Sequence, residues 1–294
     1  MVASADDLRL ERPRDIDAFE RSAGAFLAER EAENCVILGL CSQMRTGATT
    51  IRSFKPYFAV VRSGDAVVGA ALIAGYLVLL SSPIDEYALP SLVADIAAEA
   101  PRVPGVVAEV ETSRRFAELW TARTGRAHRL NMSERIFRLD RVIPARQVEG
   151  AMRLAAGGDR TLLARWLGEF NVEALGESVD PAAMDAFAGR WIAREGRTMY
   201  LWVADGRAVS MVGVSGETPN GIRVAPVYTP PELRGRGYAS VLTAAVTQAQ
   251  LDDGKRYCFL FTDLANPTSN HIYQAIGYRP VADVADFRFE PPPG

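Results

Sequence analysis

VYTPPELRGRGYASVLTAAVTQ, from Val227 to Gln248, is the stretch that decides the fold of this chain. It predicts a strand, a short loop and a helix that begins directly after the loop. Glycine lets the backbone turn tightly and approach a ligand closely, and the first turn of a helix presents N–H groups without an intrahelical partner. Together with the helix dipole, these groups favour phosphate oxygens. The stretch therefore predicts a phosphate-binding turn, and its loop holds Arg234, Gly235, Arg236 and Gly237.

The same turn is also compatible with an ordinary exposed basic loop at the start of a helix. It is not a Walker A sequence, because no Gly-Lys-Ser/Thr follows. It is not GxGxxG either, because Ser240 stands at the last glycine position. The phosphate interpretation therefore depends on a second segment.

The second segment is FLFTDLANPTSNHIYQAIGYRPV, from Phe259 to Val281. An apolar strand is expected to end at Asp263, and a short loop carries Asn266. A helix carrying Tyr273 then ends at Gly277. A strand, a helix and another strand thus precede a tyrosine-bearing helix in the second half of the chain.

Together the two segments resemble the GNAT superfamily of acyl-CoA-dependent N-acetyltransferases. That family's phosphate loop reads Arg/Gln-x-x-Gly-x-Gly/Ala, and here RGRGYA spans Arg234 to Ala239. Its next motif reads Asn-x-x-Ala-x-x-Leu-Tyr-x-x-x-Gly-Phe. This chain matches that motif with Asn266, Ser269 for Ala, Ile272 for Leu, Tyr273, Gly277 and Tyr278 for Phe. The resemblance covers the chain from about Gly150 onward.

The first half repeats the order of predicted elements, and VVRSGDAVV from Val60 loosely matches WVADGRAVS from Trp202. We therefore expect an α/β (α+β) protein of two tandem GNAT-like folds, each a mixed, mostly antiparallel sheet flanked by helices. Residues 1–143 form a degenerate copy, because SSPIDEYALPS, from Ser81, has neither glycine nor arginine where the phosphate loop belongs. In that copy Trp120 or Thr121 takes the place of the tyrosine. Residues 150–294 form the expected acyl-CoA-binding catalytic domain.

The resemblance implies that acetyl-CoA, or another acyl-CoA, lies between the strands Ile222–Thr229 and Tyr257–Asp263. Backbone N–H groups of the turn would hold the diphosphate, and the strand edge would pair with the pantetheine amides. An N–H near the end of the first strand would polarise the thioester carbonyl. The residues expected to bind the coenzyme are Val227, Tyr228, Thr229, Arg234, Gly235, Arg236, Gly237, Tyr238, Ala239, Ser240 and Asn266.

The resemblance also implies that an amine attacks the thioester directly, with Tyr273 as the general acid that protonates the leaving thiolate. Considered alone, Tyr273 is more typical of a packing aromatic, and it is the motif that favours the catalytic role; the alternative for Asn266 is a simple helix N-cap. The general base is left open, since Glu173 and Glu217 are candidates only by their place in the fold and are otherwise surface glutamates. The acceptor is an amine on a small molecule or a protein, and the alternative function is a non-catalytic acyl-CoA-binding sensor.

Composition excludes several other classes. The chain has 294 residues, a net charge of −3 and a pI of about 5.6, which argues against a broad nucleic-acid-binding face. Two histidines and three scattered cysteines argue against a metal centre and a disulfide framework. The uncharged stretch Ala66–Ile84 approaches the length of a membrane span, but two buried strands meeting near Gly75 fit it as well. Without an apolar segment near the N-terminus, the expected location is the cytoplasm.

Overall fold

The computed structural model describes residues 7–48, 56–75, 77–176 and 180–291. The strands are β1 Leu8–Glu11, β2 Tyr57–Ser63, β3 Ala66–Ile73, β4 Val78–Leu80, β5 Gly105–Glu109, β6 His128–Leu139, β7 Ala151–Leu154, β8 Arg197–Ala204, β9 Arg207–Glu217, β10 Gly221–Tyr228, β11 Tyr257–Asp263 and β12 Arg279–Phe289. The α-helices are α1 Ile16–Glu29, α2 Cys35–Arg45, α3 Leu89–Glu99, α4 Val110–Thr124, α5 Arg160–Phe170, α6 Pro181–Ile192, α7 Tyr238–Asp252 and α8 Pro267–Ala275.

The chain divides into two compact units, each with a mixed, mostly antiparallel sheet flanked by helices. This confirms the predicted fold class. The second unit runs from Phe137 to Pro280, and the first consists of the chain up to Ile136 together with the segment from Val281 onward. The units therefore differ from the linear division at residues 143–150, because the end of the chain returns to the first unit.

In the first unit, β1 to β4 form successive antiparallel pairs, and β4 and β5 run parallel. The last strand, β12, pairs antiparallel with β5, with Phe287 opposite Val106. The ring of Phe289 stacks on that of Trp120 at 5.0 Å between centroids. The end of the chain thus completes the hydrophobic core of the first unit.

The uncharged stretch Ala66–Ile84 contains β3 and β4, as the strand interpretation predicted. Residue Tyr76, expected to begin the second of these strands, lies outside the described residues. Among the described residues no helix is both long and apolar enough to cross a membrane.

The second unit has the strand order β11-β10-β9-β8-β7, with β10 and β11 parallel and the other pairs antiparallel. Side chains on neighbouring residues of a strand point to opposite faces of the sheet. On β10, Val227 packs into the cluster that contains α7 residues and Tyr273. Tyr228 packs into the cluster formed by α5 and α6. The carboxyl end of β10 therefore presents one residue to each helical layer.

Candidate functional site

The two parallel strands of the second unit separate towards their carboxyl ends. Paired residues run from Gly221 opposite Tyr257 to Arg223 opposite Phe259. In the part of the chain that the structure describes, no further pairs join the two strands, although β10 continues to Tyr228 and β11 to Asp263. A register shift against β9 between Val224 and Val227 bends β10 at the same level. The separation leaves backbone groups of both strands free to pair with a ligand.

The predicted phosphate turn follows β10 and leads directly into α7. A short 3₁₀ turn, Pro231–Leu233, precedes it. Gly235 has φ +76° and Gly237 has φ +84°, which is the left-handed region that favours glycine. A Cβ on Gly237 would also lie 3.1 Å from Cγ1 of Val148. Both glycines are therefore required by the backbone conformation of the turn.

The start of α7 offers unpaired N–H groups. Its N-cap is Gly237, and no side chain caps the helix. Within the described ranges, no oxygen of the protein accepts a hydrogen bond from the backbone N–H of residues 235–240. The turn is exposed from Gly235 to Gly237, and no atom of the described residues lies within 4 Å of a Cβ placed on Gly235. This arrangement, at the positive end of a 15-residue helix, suits a bound anion.

The two arginines of the turn have different surroundings. The Arg234 side chain donates from Nε to the carbonyl oxygen of Thr229 at 2.9 Å and forms a close ion pair with Glu173. Its guanidinium also lies 5.9 Å from the centroid of the Tyr228 ring. Arg236 is exposed, and its Nη2 makes a long contact of 3.5 Å with the carbonyl oxygen of Glu232. Arg234 therefore braces the turn, whereas Arg236 is available to an anion.

The side chains at the end of β10 form hydrogen bonds with other parts of the protein, and these bonds point away from the gap between β10 and β11. The buried Thr229 hydroxyl donates to the Ser210 hydroxyl at 2.9 Å, and Ser210 donates to the Tyr228 carbonyl at 3.1 Å. The Tyr228 phenol donates to Oε2 of Glu169 at 2.9 Å. Burial, followed by this carboxylate, raises the pKa of Tyr228. Val227, Tyr228 and Thr229 thus leave only backbone groups for a ligand in the gap.

Tyr273 lies on α8 and is 8% exposed. Its ring packs edge-on against Tyr278, with 6.0 Å between centroids. Its hydroxyl has no hydrogen-bond partner among the described residues. Burial raises the pKa of Tyr273, so the phenol is protonated at neutral pH. Such a group can donate a proton.

Asn266 caps α8, because its side-chain oxygen accepts a hydrogen bond from the backbone N–H of Ser269 at 3.0 Å. This is the structural role that the sequence offered as the alternative to coenzyme binding. The loop is held instead by Asn270, which the sequence did not single out. Its amide donates to the carbonyl oxygen of Asp263 at 3.0 Å and accepts from the Thr262 hydroxyl at 2.6 Å.

The two glutamates considered as bases lie in different places. Glu217 forms an ion pair with Lys255 at 2.7 Å and lies opposite Ile222, at the far end of β10. Six residues of strand separate that point from Tyr228, which is about 20 Å. Glu173 lies near the turn but is paired with Arg234. Glu169, which contacts Tyr228, was missed, because no sequence pattern separates it from other helix-surface glutamates.

The corresponding turn of the first unit is occupied by its own side chains. Asn34 accepts from the backbone N–H of Ser82 at 2.8 Å and donates to the Ser82 carbonyl at 2.7 Å. The Ser82 hydroxyl also bonds to the Glu109 carboxylate at the end of β5. Asp85 accepts from the N–H of Tyr87 at 2.9 Å. The turn before α3 therefore has internal partners, including a negative charge, where the turn before α7 has open N–H groups.

Comparison with known proteins agrees with this geometry. The second unit combines a mixed sheet, two strands that separate and a glycine turn at the start of a helix. Residues 163–278 match the model of the Acetyltransferase (GNAT) family. The whole chain has the tandem GNAT fold, and the matched residues lie in its second unit. No curated protein matches the sequence significantly.

Solved structures extend the likeness to almost the whole chain. A tandem GNAT protein from the clavulanic acid biosynthesis pathway has a TM-score of 0.59 and 13% identity, covering 98% of this chain and 99% of its own. A Drosophila protein has a TM-score of 0.64 and 13% identity, with the same coverage. A GCN5-related N-acetyltransferase from Sphaerobacter thermophilus has a TM-score of 0.60 and 16% identity, covering 98% and 97%. At these identities the likeness shows the fold alone.

Proposed function

We propose that the protein is an acyl-CoA-dependent N-acetyltransferase that transfers the acetyl group of acetyl-CoA to a primary amine by direct attack. The observation that carries this proposal is the uncapped start of α7 behind the turn at Gly235 and Gly237, next to the gap between β10 and β11. An anion-binding turn beside two separated strands suits an elongated ligand with a diphosphate and an amide-bearing arm.

In this proposal the N–H groups of Arg236, Gly237, Ala239 and their neighbours hold the diphosphate. The N–H groups point from the positive end of a helix, so binding does not require removal of a protein acceptor. Arg236 adds a positive charge, and no carboxylate of the described residues forms an ion pair with it. Tyr238 and Ser240, in the first turn of the helix, complete this side of the coenzyme site.

The pantetheine arm would lie along β10, where Val227 and Thr229 offer backbone groups to its amides. A backbone N–H near Tyr228 would polarise the thioester carbonyl as negative charge develops on its oxygen. The amine nitrogen then forms a bond to the carbonyl carbon, and the carbon–sulfur bond breaks. The phenol of Tyr273 gives its proton to the leaving thiolate. The protein's further contribution is to hold the two reactants in the orientation for attack.

The test is release of free thiol from acetyl-CoA with a broad panel of primary amines. Wild-type protein is expected to turn over at least one amine, and Tyr273→Phe to slow that turnover about a hundredfold or more. Tyr278→Phe is the matched control, because its hydroxyl bonds to Thr247 at 2.8 Å and has no role in the proposed reaction. Coenzyme A binding by both variants shows that each is folded. Binding without turnover of any amine would contradict the proposal and support the acyl-CoA-binding sensor.

A further inference from the structure

A glutamate and a tyrosine meet at the carboxyl end of β10, on the side of the sheet away from α7. Glu169 lies in the last turn of α5, and its Oε2 accepts the hydrogen bond from the Tyr228 hydroxyl at 2.9 Å. Tyr228 is 4% exposed, and its ring packs against Trp166 with 6.3 Å between centroids. A buried aromatic thus fixes one oxygen of the carboxylate.

Among the described residues, no group donates a hydrogen bond to the second oxygen of Glu169. The cation paired with it there is Nε of Arg165, 3.8 Å from Oε1, too far for a hydrogen bond. The Glu169 side chain is 41% exposed, so a solvated ligand can reach it. Exposed ion pairs of this kind contribute little free energy, and an incoming cation can therefore displace Arg165. The carboxylate combines a fixed position with a free acceptor.

The two faces of β10 separate this carboxylate from the proposed general acid. Tyr228 points to the α5 and α6 layer, whereas Val227 points to the layer that contains Tyr273. A thioester lying at the edge of β10 would have Glu169 on one side and the Tyr273 phenol on the other. An amine attacking from one face and a thiolate protonated from the other can then act without competing for space.

We propose that Glu169, positioned by Tyr228, binds the ammonium group of the acceptor and takes one of its protons before attack. This inference rests on the proposed transferase function. The ammonium gives one proton to Glu169 and becomes a neutral amine. The amine forms the carbon–nitrogen bond, the carbon–sulfur bond breaks, and Tyr273 protonates the thiolate. The second proton lost by nitrogen restores Tyr273 through solvent, and Glu169 releases its proton to water.

The charges around the pair agree with this role. Burial raises the pKa of Tyr228, and the carboxylates of Glu169 and Glu173 raise it further, while Arg234 opposes them. The phenol therefore stays protonated and donates, which leaves Glu169 to accept. Asp185, on the neighbouring helix α6, forms an ion pair with Arg160 at 2.6 Å. Arg160 is in the first turn of α5, whereas Glu169 is in the last turn, so this ion pair is away from Glu169.

The other acidic candidates are less suited. Glu173 is one helical turn further on and is engaged by Arg234, which also braces the phosphate turn. Glu217 lies at the opposite end of β9 and is paired with Lys255. Of these three glutamates, Glu169 is the one with a carboxylate oxygen that accepts no hydrogen bond among the described residues and with a contact to the end of β10.

The first measurement is calorimetric binding of three amine probes to protein saturated with coenzyme A. The probes are 2-phenylethylamine, spermidine and a lysine-containing peptide. Glu169→Gln is expected to weaken the binding of the tightest-binding probe about tenfold to a hundredfold, because it removes a charged hydrogen-bond acceptor. Glu217→Gln is the matched control and should bind that probe like the wild type. Equal binding by Glu169→Gln, or no binding of any probe to the wild type, would overturn the inference.

The second measurement is the pH dependence of turnover with the best acceptor. Without a base, the Glu169→Gln rate should follow the fraction of neutral amine and rise about tenfold per pH unit below the pKa of the amine. The wild-type rate should rise less steeply with pH, and the rate of Tyr228→Phe should rise with an intermediate steepness. A Glu169→Gln profile parallel to the wild type would refute the proton-accepting role. Normal coenzyme binding and a normal Tyr273→Phe effect would then leave the transferase function standing.

Discussion

At the scale of single residues, the phosphate turn depends on a glycine that no other residue replaces without strain. Gly237 has φ +84°, and a Cβ there would meet Val148 at 3.1 Å. Gly237→Ala should destabilise the fold by about 1–2 kcal/mol and also weaken coenzyme A binding, because the N–H groups after it change direction. Urea unfolding and calorimetry measure the two effects.

Gly254, at the other end of α7, is the matched control for this change. It also has a positive φ, +91°, but a Cβ there would meet no atom within 4 Å. Gly254→Ala should show a similar stability loss with coenzyme binding unchanged. If both variants bound coenzyme A like the wild type, the turn would not be the diphosphate site.

The residue scale also shows what the sequence could reveal about the site. Gly235, Gly237 and Tyr273 belong to local patterns of fixed spacing, so their places could be predicted. The contact of Glu169 with Tyr228 joins residues 59 positions apart, and only the folded chain brings them together. The capping role of Asn266 was foreseeable, because asparagine before Pro267 is a common helix start.

At the scale of elements, strand β12 contributes to the stability of the first unit. Phe289 of β12 stacks on Trp120, and Arg126 donates from Nη1 to the carbonyl oxygens of Pro101 and Val103 beside it. Phe289→Ala should reduce the free energy of unfolding by about 3–5 kcal/mol, since it removes a buried ring. Leu130→Ala on β6, where the side chain is 53% exposed, is the control and should change it by less than about 0.5 kcal/mol. Chemical denaturation distinguishes the two, and equal stability of both variants would contradict this role for β12.

Local elements were predictable, whereas the pairing of β12 was not. Asp-Gly between two strands favours a hairpin turn, and Asp205 and Gly206 both have positive φ between β8 and β9. Asp180, directly before Pro181, caps α6, and Gly125 ends α4 in the left-handed conformation, as these residue types favour. Each of these signals lies within a few residues. The pairing of β12 with β5 joins segments far apart in sequence, and no local propensity encodes such a partner.

At the scale of the whole molecule, the two turns predict the binding stoichiometry. The turn before α7 has open N–H groups, whereas Asn34 and Asp85 occupy the turn region before α3. We therefore expect one coenzyme A per chain in a calorimetric titration. A stoichiometry of two would show that the first unit also binds and would contradict the interpretation of its turn.

The buried tyrosines predict how the molecule responds to alkali. Among the described tyrosines, burial raises the pKa of five phenols, those of Tyr57, Tyr200, Tyr228, Tyr273 and Tyr278. In the unfolded chain a phenol ionises near pH 10. Their contribution to stability is complete below that pH and is lost as the pH rises towards the folded pKa, by about 1.4 kcal/mol per pH unit for each group.

Thermal unfolding measured across this range should therefore show a falling melting temperature above about pH 10. Tyr278→Phe removes one of the five groups and should make the decline shallower. A melting temperature that stays constant from about pH 10 to about pH 12 would mean that these phenols ionise as readily in the folded protein as in the unfolded chain, against the burial described here.

A crystal structure of the protein with coenzyme A tests the central claim most directly. The account predicts diphosphate oxygens about 2.7–3.2 Å from backbone nitrogens of residues 236–240 and the sulfur beside the Tyr273 hydroxyl. A diphosphate bound elsewhere, or a sulfur remote from that phenol, would contradict it.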